Sequence, residues 1–205
     1  MQIRVAETKT PLWVQATEVV KEKFRRSYSA SVEPNPQYFA VTQDPSDRIL
    51  ACAGITFADH RTLFSEQYLA QPIEVILSQR LEKTIDRSNI VEIGNLISHH
   101  LTAGMILVNM IPLLSWCMGG YYLLCTVTPR VRQMMESCQI DFEPLLTADP
   151  ARLGEEGGKN WGTYYSKLPV TGFIRVDPQR SRFAAMTLNT SFTQLPGDSL
   201  ARAQP

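Results

Sequence analysis

The sequence predicts an α/β (α+β) domain, a mixed central sheet flanked by helices, and three stretches carry that prediction. Residues 12–30 repeat apolar side chains at helical spacing, residues 38–58 read as a β-hairpin, and residues 90–129 read strand, apolar helix, strand. The last unit needs a crossover connection, and hence a parallel pair near the centre of the sheet. With 205 residues, 44% of them apolar and 20% charged, the chain is long and apolar enough for one domain with a real core.

Each element has its own local reason. In "LWVQATEVVKEKFRRSYSA", Trp13, Ala16, Val20, Phe24 and Tyr28 share one helix face, while Glu22, Lys23, Arg25 and Arg26 lie mostly off it. The two prolines of "VEPNPQ" stop that helix. "YFAVTQD" and "RILACAGITFA" are strands joined by the turn "PSD". Leu69, Ile73 and Ile76 follow in a broken helical pattern, with Pro72 suited to a first turn. "NIVEIGNLIS" (89–98) is a strand, and "LTAGMILVNMIPLLSWCMGG" is a buried helix kinked at Pro112 and closed by Gly119–Gly120. "YYLLCTVTP" is an almost continuous apolar strand of the fully buried kind. A short helix at "RVRQMMESCQI", a strand at 142–146 and a last strand near "VTGFIRV" complete residues 1–176. Residues 177–205, rich in Ser, Thr, Pro and Gln, read as an exposed tail.

Composition narrows the function. Lys+Arg and Asp+Glu balance at 20 each, so there is no basic excess of the kind that coats a phosphate backbone, and nucleic acid is not an expected partner. The start "MQIRVAETKT" has no apolar signal core, and the four cysteines form no CxxC pair. Cys52, Cys117 and Cys125 sit in apolar runs, as small hydrophobes do, so a reduced, cytoplasmic setting is expected. The most apolar run, 105–118, is shorter than the roughly 20 residues a membrane span needs. No transmembrane segment is expected, and insertion of that run into a bilayer is the alternative to its being core.

The chemistry concentrates on "IVEIGNLIS". A carboxylate at Glu92 in a buried strand must be paired, capped by amides, or facing a polar cleft, because an unpaired buried charge costs several kcal/mol. At a cleft it is a candidate general base for an incoming amine, and His99 or His100 is an alternative base. Two adjacent histidines with one Glu are a poor zinc set, so no metal is expected. "SEQYLAQPIE" offers Glu66, Gln67, Tyr68 and Glu74, and "WGTYY" offers Trp161, Tyr164 and Tyr165, as walls of a substrate pocket or as core fillers. No G-x-S-x-G elbow, Walker loop or dinucleotide fingerprint is present.

The blocks "LFSEQYLAQPIE" (63–74), "IVEIGNL" (90–96), "FEPLLTADPARL" (142–153) and "WGTYY" (161–165), in that order, resemble the thermostable hemolysin family over about residues 20–175. The element order resembles the Gcn5-related N-acyltransferase fold, shared by the acyl-homoserine-lactone synthases. The resemblance implies acyl transfer from a thioester, on acyl-CoA or an acyl-carrier protein, to a small amine or amino acid, with no resident cofactor. It places Glu92 on the Glu of the synthases' Glu-x-x-Arg segment and Asn95 on its Arg, a departure that argues against S-adenosylmethionine as acceptor. A strand bulge near Gly94 would turn Glu92 and Asn95 toward one cleft. Ile93, Leu96, Ser98 and Gly104 fall where such a fold meets the donor's pantetheine and phosphate. "SHHLTAG" has no Arg or Lys, nor has any position between 88 and 129, which favours a carrier-protein donor met by scattered cations such as Arg130 and Arg132. The rivals are a membrane-active hemolysin, as the family name suggests, and a non-catalytic binding module of the same fold.

Overall fold

The computed structural model describes residues 1–177, so all but the first residue of the expected 177–205 tail lies outside the described residues. Strands β1 (Gln2–Glu7), β2 (Tyr38–Gln43), β3 (Ile49–Phe57), β4 (Ile90–Ser98), β5 (Tyr122–Val127), β6 (Phe142–Thr147) and β7 (Val170–Arg175) form one sheet in the order β1-β2-β3-β4-β5-β7-β6. Four helices cover it: α1 (Pro11–Tyr28), α2 (Ile73–Leu81), α3 (Leu101–Cys117) and α4 (Pro129–Ser137). Only β4 and β5 pair in parallel, and α3 makes the crossover between them, as the strand–helix–strand reading requires.

Two faces bury two sets of side chains. Ala103 and Leu107 of α3 and Met135 of α4 pack on Val91, Ile93, Leu123 and Cys125. On the other face, Ala16, Val20 and Phe24 of α1 cover Phe39, Val41, Cys52 and Ile97, while Ile73 and Leu77 of α2 cover Ile90, Leu124 and Phe173. The apolar run 105–118 is therefore core, with Leu107 and Leu113 fully buried; each such leucine contributes about 2 kcal/mol through burial. No described helix is long and apolar enough to cross a membrane.

Local chemistry sets the element ends. Thr10 caps α1 by accepting from the Trp13 amide, and Pro11 follows at the first helical position. α3 runs through Pro112 and stops at Cys117; Gly119 takes φ +94, and a Cβ on Gly120 would meet Val91 at 2.9 Å. One cysteine departs from expectation: Cys117, the last residue of α3, is exposed, whereas Cys52 and Cys125 are buried. Strand β1 carries no core pattern of its own beyond Ala6, and it exists by antiparallel pairing along β2.

β4 bulges next to Gly94, where the sequence places it. Gly54 of β3 stands opposite Gly94, but Cys52 stands opposite Ile97, so Asn95 and Leu96 together face Ala53. Asn95 holds the bulge at φ +53, a left-handed conformation that Asn tolerates better than most residues. The extra residue reverses side-chain parity: Ile93 lies among the α3-side residues and Ile97 among the α1-side residues. Glu92 and Asn95 consequently share one sheet face. The Asn95 Nδ2 comes within 3.1 Å of the point a Gly54 Cβ would occupy, on the side where Thr56 stands beside Glu92.

Candidate functional site

Past Ile93 the parallel strands separate. Pairing of β4 with β5 covers only Ile90–Ile93 against Tyr122–Cys125, so among the described residues the β5-facing backbone of β4 has no strand partner from the bulge onward. A cavity of about 600 Å³ opens at this end of the sheet, walled by Leu96–Leu101 and Gly104, by Thr128–Val131 and Met134, by Phe24 and Tyr28 of α1, and by Lys23, Ser27 and Lys167. Three residues expected at a donor site, Leu96, Ser98 and Gly104, do line it; Ile93 does not, because it points into the α3-side core. Arg130 is on the wall, whereas Arg132 is exposed on α4 and pairs with Glu136.

The charge on this wall is one-signed. Lys23, Arg130, Lys167, His99 and His100 line the cavity, and among the described residues no Asp or Glu does. Lys23 and Lys167 reach it from α1 and from the end of the 3-10 turn Tyr164–Lys167, far outside the 88–129 window in which the sequence offers no cation. His99 is held below its ordinary value, first by burial and then by the positive charges of Lys23, His100, Arg26 and Arg48.

Glu92 sits elsewhere, and it is not a free cleft carboxylate. It is 8% exposed, and both oxygens are occupied. Oε2 accepts from the Phe64 amide at 2.8 Å; Oε1 accepts from the Ser65 amide at 2.7 Å and from the Ser65 hydroxyl at 2.6 Å. The Ser65 hydroxyl continues to Thr126 (2.9 Å) and Thr126 to Thr171 (2.8 Å), a chain of polar side chains across β5 and β7. Burial raises the Glu92 pKa, against the lowering effect of the Ser65 and Phe64 donors. The arrangement clamps the 3-10 turn Phe64–Tyr68 onto the sheet.

Glu66, Gln67 and Glu74 also fail to reach the cavity. Arg87 gathers the two carboxylates, donating to Glu66 at 2.6 and 2.7 Å and to Glu74 at 2.5 Å. Glu66 further accepts from the Leu63 and Ile73 amides, at 2.7 and 3.1 Å, and so joins the 3-10 turn to the start of α2. Burial works against its ionisation, yet the Arg87 bonds and these amides hold its pKa below the usual value. Gln67 is exposed and bonds the Phe64 carbonyl at 3.1 Å. Arg87 itself, in the polar "DRS" ahead of β4, was readable only as a strand boundary.

The aromatic residues form the partition between the two regions. Trp161, Tyr164 and Tyr165 pack with Phe24, Tyr28, Phe64 and Tyr68 in a contiguous cluster. Tyr68 and Tyr165 share a hydrogen bond of 2.5 Å, and the Tyr164 hydroxyl donates to the Thr126 carbonyl at 3.4 Å. Burial pushes the Tyr164 and Tyr68 phenols up, well away from neutrality. The segment is tied to the end of α1: Thr163 donates to the Tyr28 carbonyl and Ser31 to the Asn160 carbonyl. Gly162 approaches Tyr28 so closely, at φ +50, that no side chain fits there. Phe24 and Tyr28 are the rings that belong to both the cluster and the cavity wall. Among the described residues, no group of three His, Cys, Asp or Glu is placed to hold a metal ion.

The sequence model of the thermostable hemolysin family matches residues 6–179. Several solved structures share the fold. LasI, an AHL synthase, is 10% identical with a TM-score of 0.57, covering 86% of this chain and 90% of its own. FeeM, an N-acyl amino acid synthase from uncultured soil microbes, is 13% identical with a TM-score of 0.57, covering 89% and 99%. BjaI, a CoA-dependent acyl-homoserine lactone synthase solved with SAM and isopentyl-CoA, is 8% identical with a TM-score of 0.57, covering 90% and 86%. At these identities the likeness is one of fold. No curated protein matches the sequence.

Proposed function

Since the chain belongs to the thermostable hemolysin family and has the fold of the N-acyl synthases above, we propose that it is an N-acyltransferase, moving an acyl group from a thioester donor to a small amine. The observation that carries this reading is the separation of β4 from β5 beyond Ile93, beside a cavity with a cationic wall. A phosphopantetheine arm is an extended amide chain ending in a phosphate. The unpaired backbone of β4 suits its amides, and Lys23, Arg130 and Lys167 suit its phosphate. The acyl chain then lies against Leu96, Val131 and Met134, which are apolar. Both CoA and a carrier protein carry such an arm, so the cavity accepts either on chemical grounds.

Catalysis on this account comes mostly from holding the thioester carbonyl against the strand edge while the amine approaches, a positional contribution. Glu92 and Asn95 act through the backbone. Asn95 sets the bulge, and Glu92 fixes the turn Phe64–Tyr68 that supports the aromatic partition. Glu66 and Glu74 stabilise the same turn from outside, and Tyr68, Trp161, Tyr164 and Tyr165 shape the acceptor side. The hemolysin of the family name supplies a second reading, direct lysis, or lysis by an amphiphilic acylated product.

The test is mass spectrometry of the protein incubated with acyl-CoAs, acyl-carrier proteins and a mixture of amines and amino acids. The expected result is a new N-acylated amine, diminished in a Lys23→Ala/Arg130→Ala variant that folds normally. Absence of any product, with red-cell lysis by the protein alone, overturns transfer in favour of direct membrane action.

A further inference from the structure

The pair His99–His100 is not used by the account above, yet both residues line the same cavity as Lys23, Arg130 and Lys167. Histidine is the side chain whose charge changes nearest neutrality, so its presence in an all-cationic wall makes the wall's charge depend on pH. We propose that His99 and His100 make the donor's phosphate site proton-coupled: the site takes up a proton when a phosphodiester of a phosphopantetheine arm binds. This rests on reading the cavity as the donor site.

The groups facing His99 come from every element around it. Lys23 and Arg26 approach from α1, Arg48 from the turn before β3, and His100 from the adjacent position, with Arg130 and Lys167 on the remaining wall. Two of these cations are partly answered, Arg48 by Asp44 at 3.0 Å and Arg26 by Glu22. Among the described residues, no carboxylate lines the cavity itself. Partial burial and the cationic surroundings hold His99 below its ordinary value. An anion placed among these side chains reverses the balance, because an opposite charge within a few ångströms favours the imidazolium. The imidazole value is therefore higher in the complex than in the free protein. By linkage, affinity is greatest at low pH and falls as pH rises through the value in the complex.

The probe must not titrate in the same window. A phosphate monoester, such as the 3′-phosphate of CoA, has its second pKa near 6, so dephospho-CoA, which has only a pyrophosphate diester, is the appropriate ligand. A holo acyl-carrier protein, whose arm has a single phosphodiester, is the second arm and distinguishes the two donor sources. Calorimetric titration from pH 5.5 to 8.5, in buffers of different ionisation heat, gives the dissociation constant and the protons taken up. The expected result is a dissociation constant that weakens up to about tenfold per pH unit across the linked window, for at least one of the two donors. A His99→Gln/His100→Gln variant should bind with little pH dependence. Both side chains are exposed, and the structural bond of this stretch, from the His99 amide to the Leu50 carbonyl at 2.8 Å, survives the substitution.

Binding that is flat with pH in the wild type, or equally sloped in the double variant, overturns the proton coupling and leaves the donor reading standing. Proton-coupled binding without acyl transfer from any thioester keeps the coupling and overturns the donor reading. No binding of either probe at any pH overturns both.

Discussion

Two polar regions lie either side of the aromatic partition, and they are built on opposite principles. On the Glu92 side the charged groups and the Ser65, Thr126 and Thr171 hydroxyls meet partners: Glu92 accepts three hydrogen bonds, Ser65, Thr126 and Thr171 bond in series, and Arg87 bridges Glu66 and Glu74. On the cavity side five basic residues line about 600 Å³, with no carboxylate among the described lining residues. A saturated network stabilises a fold, since its groups have exchanged water for protein donors and acceptors. A one-signed wall does the reverse and favours the arrival of a counter-charge. Residue type alone does not separate the two, because both regions contain the side chains that chemistry uses.

If this contrast is right, the largest stability losses come from the saturated side. Arg87→Met leaves Glu66, whose side chain is 6% exposed, without its cation, and urea unfolding should show a loss of about 3 kcal/mol. A loss below 1 kcal/mol would mean that the pair is solvated. Glu92→Ala orphans the Phe64 and Ser65 amides and should cost about 2–3 kcal/mol. Glu92→Gln costs less and has a pH signature. The Glu92 pKa is raised by burial, so its contribution is full below the ordinary carboxylate range and is lost as pH rises through the folded-state value. The stability gap between wild type and Glu92→Gln should thus narrow from pH 4.5 to pH 8. A gap that widens would show that the charged form is the one the site prefers.

The cavity side should respond in binding rather than in folding. Lys23→Ala, Arg130→Ala and Lys167→Ala should each raise the donor KM about fivefold, equivalent to about 1 kcal/mol, at unchanged kcat and with the effect shrinking in high salt. Unfolding free energies should stay within about 0.5 kcal/mol of wild type, as for ordinary surface substitutions. The smallest effect is expected at the partition. Tyr68→Phe removes the bond to Tyr165, whose hydroxyl is half-exposed and turns to water, for about 0.5–1 kcal/mol by thermal unfolding.

The contrast also explains what the sequence could and could not reveal. The α1 face, the hairpin and the β4–α3–β5 crossover were legible because periodicity and turn residues are local. So was the bulge near Gly94, since Glu92 and Asn95 otherwise face opposite ways; the register puts the extra residue at Asn95–Leu96. β1 was not legible, being an edge strand that pairing creates. Nor was the saturation of Glu92: its partners are 27 and 28 residues away, and two of the three are backbone amides, which every sequence contains. The cations of the cavity were missed for the same reason. Lys23 sits on a helix that looked solvated, and Lys167 follows an irregular segment, so only the tertiary fold brings them to the end of β4.

The most direct test of the division is steady-state acyl transfer, read as N-acylated product, by Glu92→Gln and by Lys23→Ala/Arg130→Ala at a temperature where both variants are fully folded. The account predicts that Glu92→Gln keeps kcat within about threefold at an unchanged donor KM, while the cavity variant needs far more donor to saturate. A folded Glu92→Gln protein that makes no product, beside a cavity variant with wild-type KM, would contradict it and return the chemistry to the buried carboxylate.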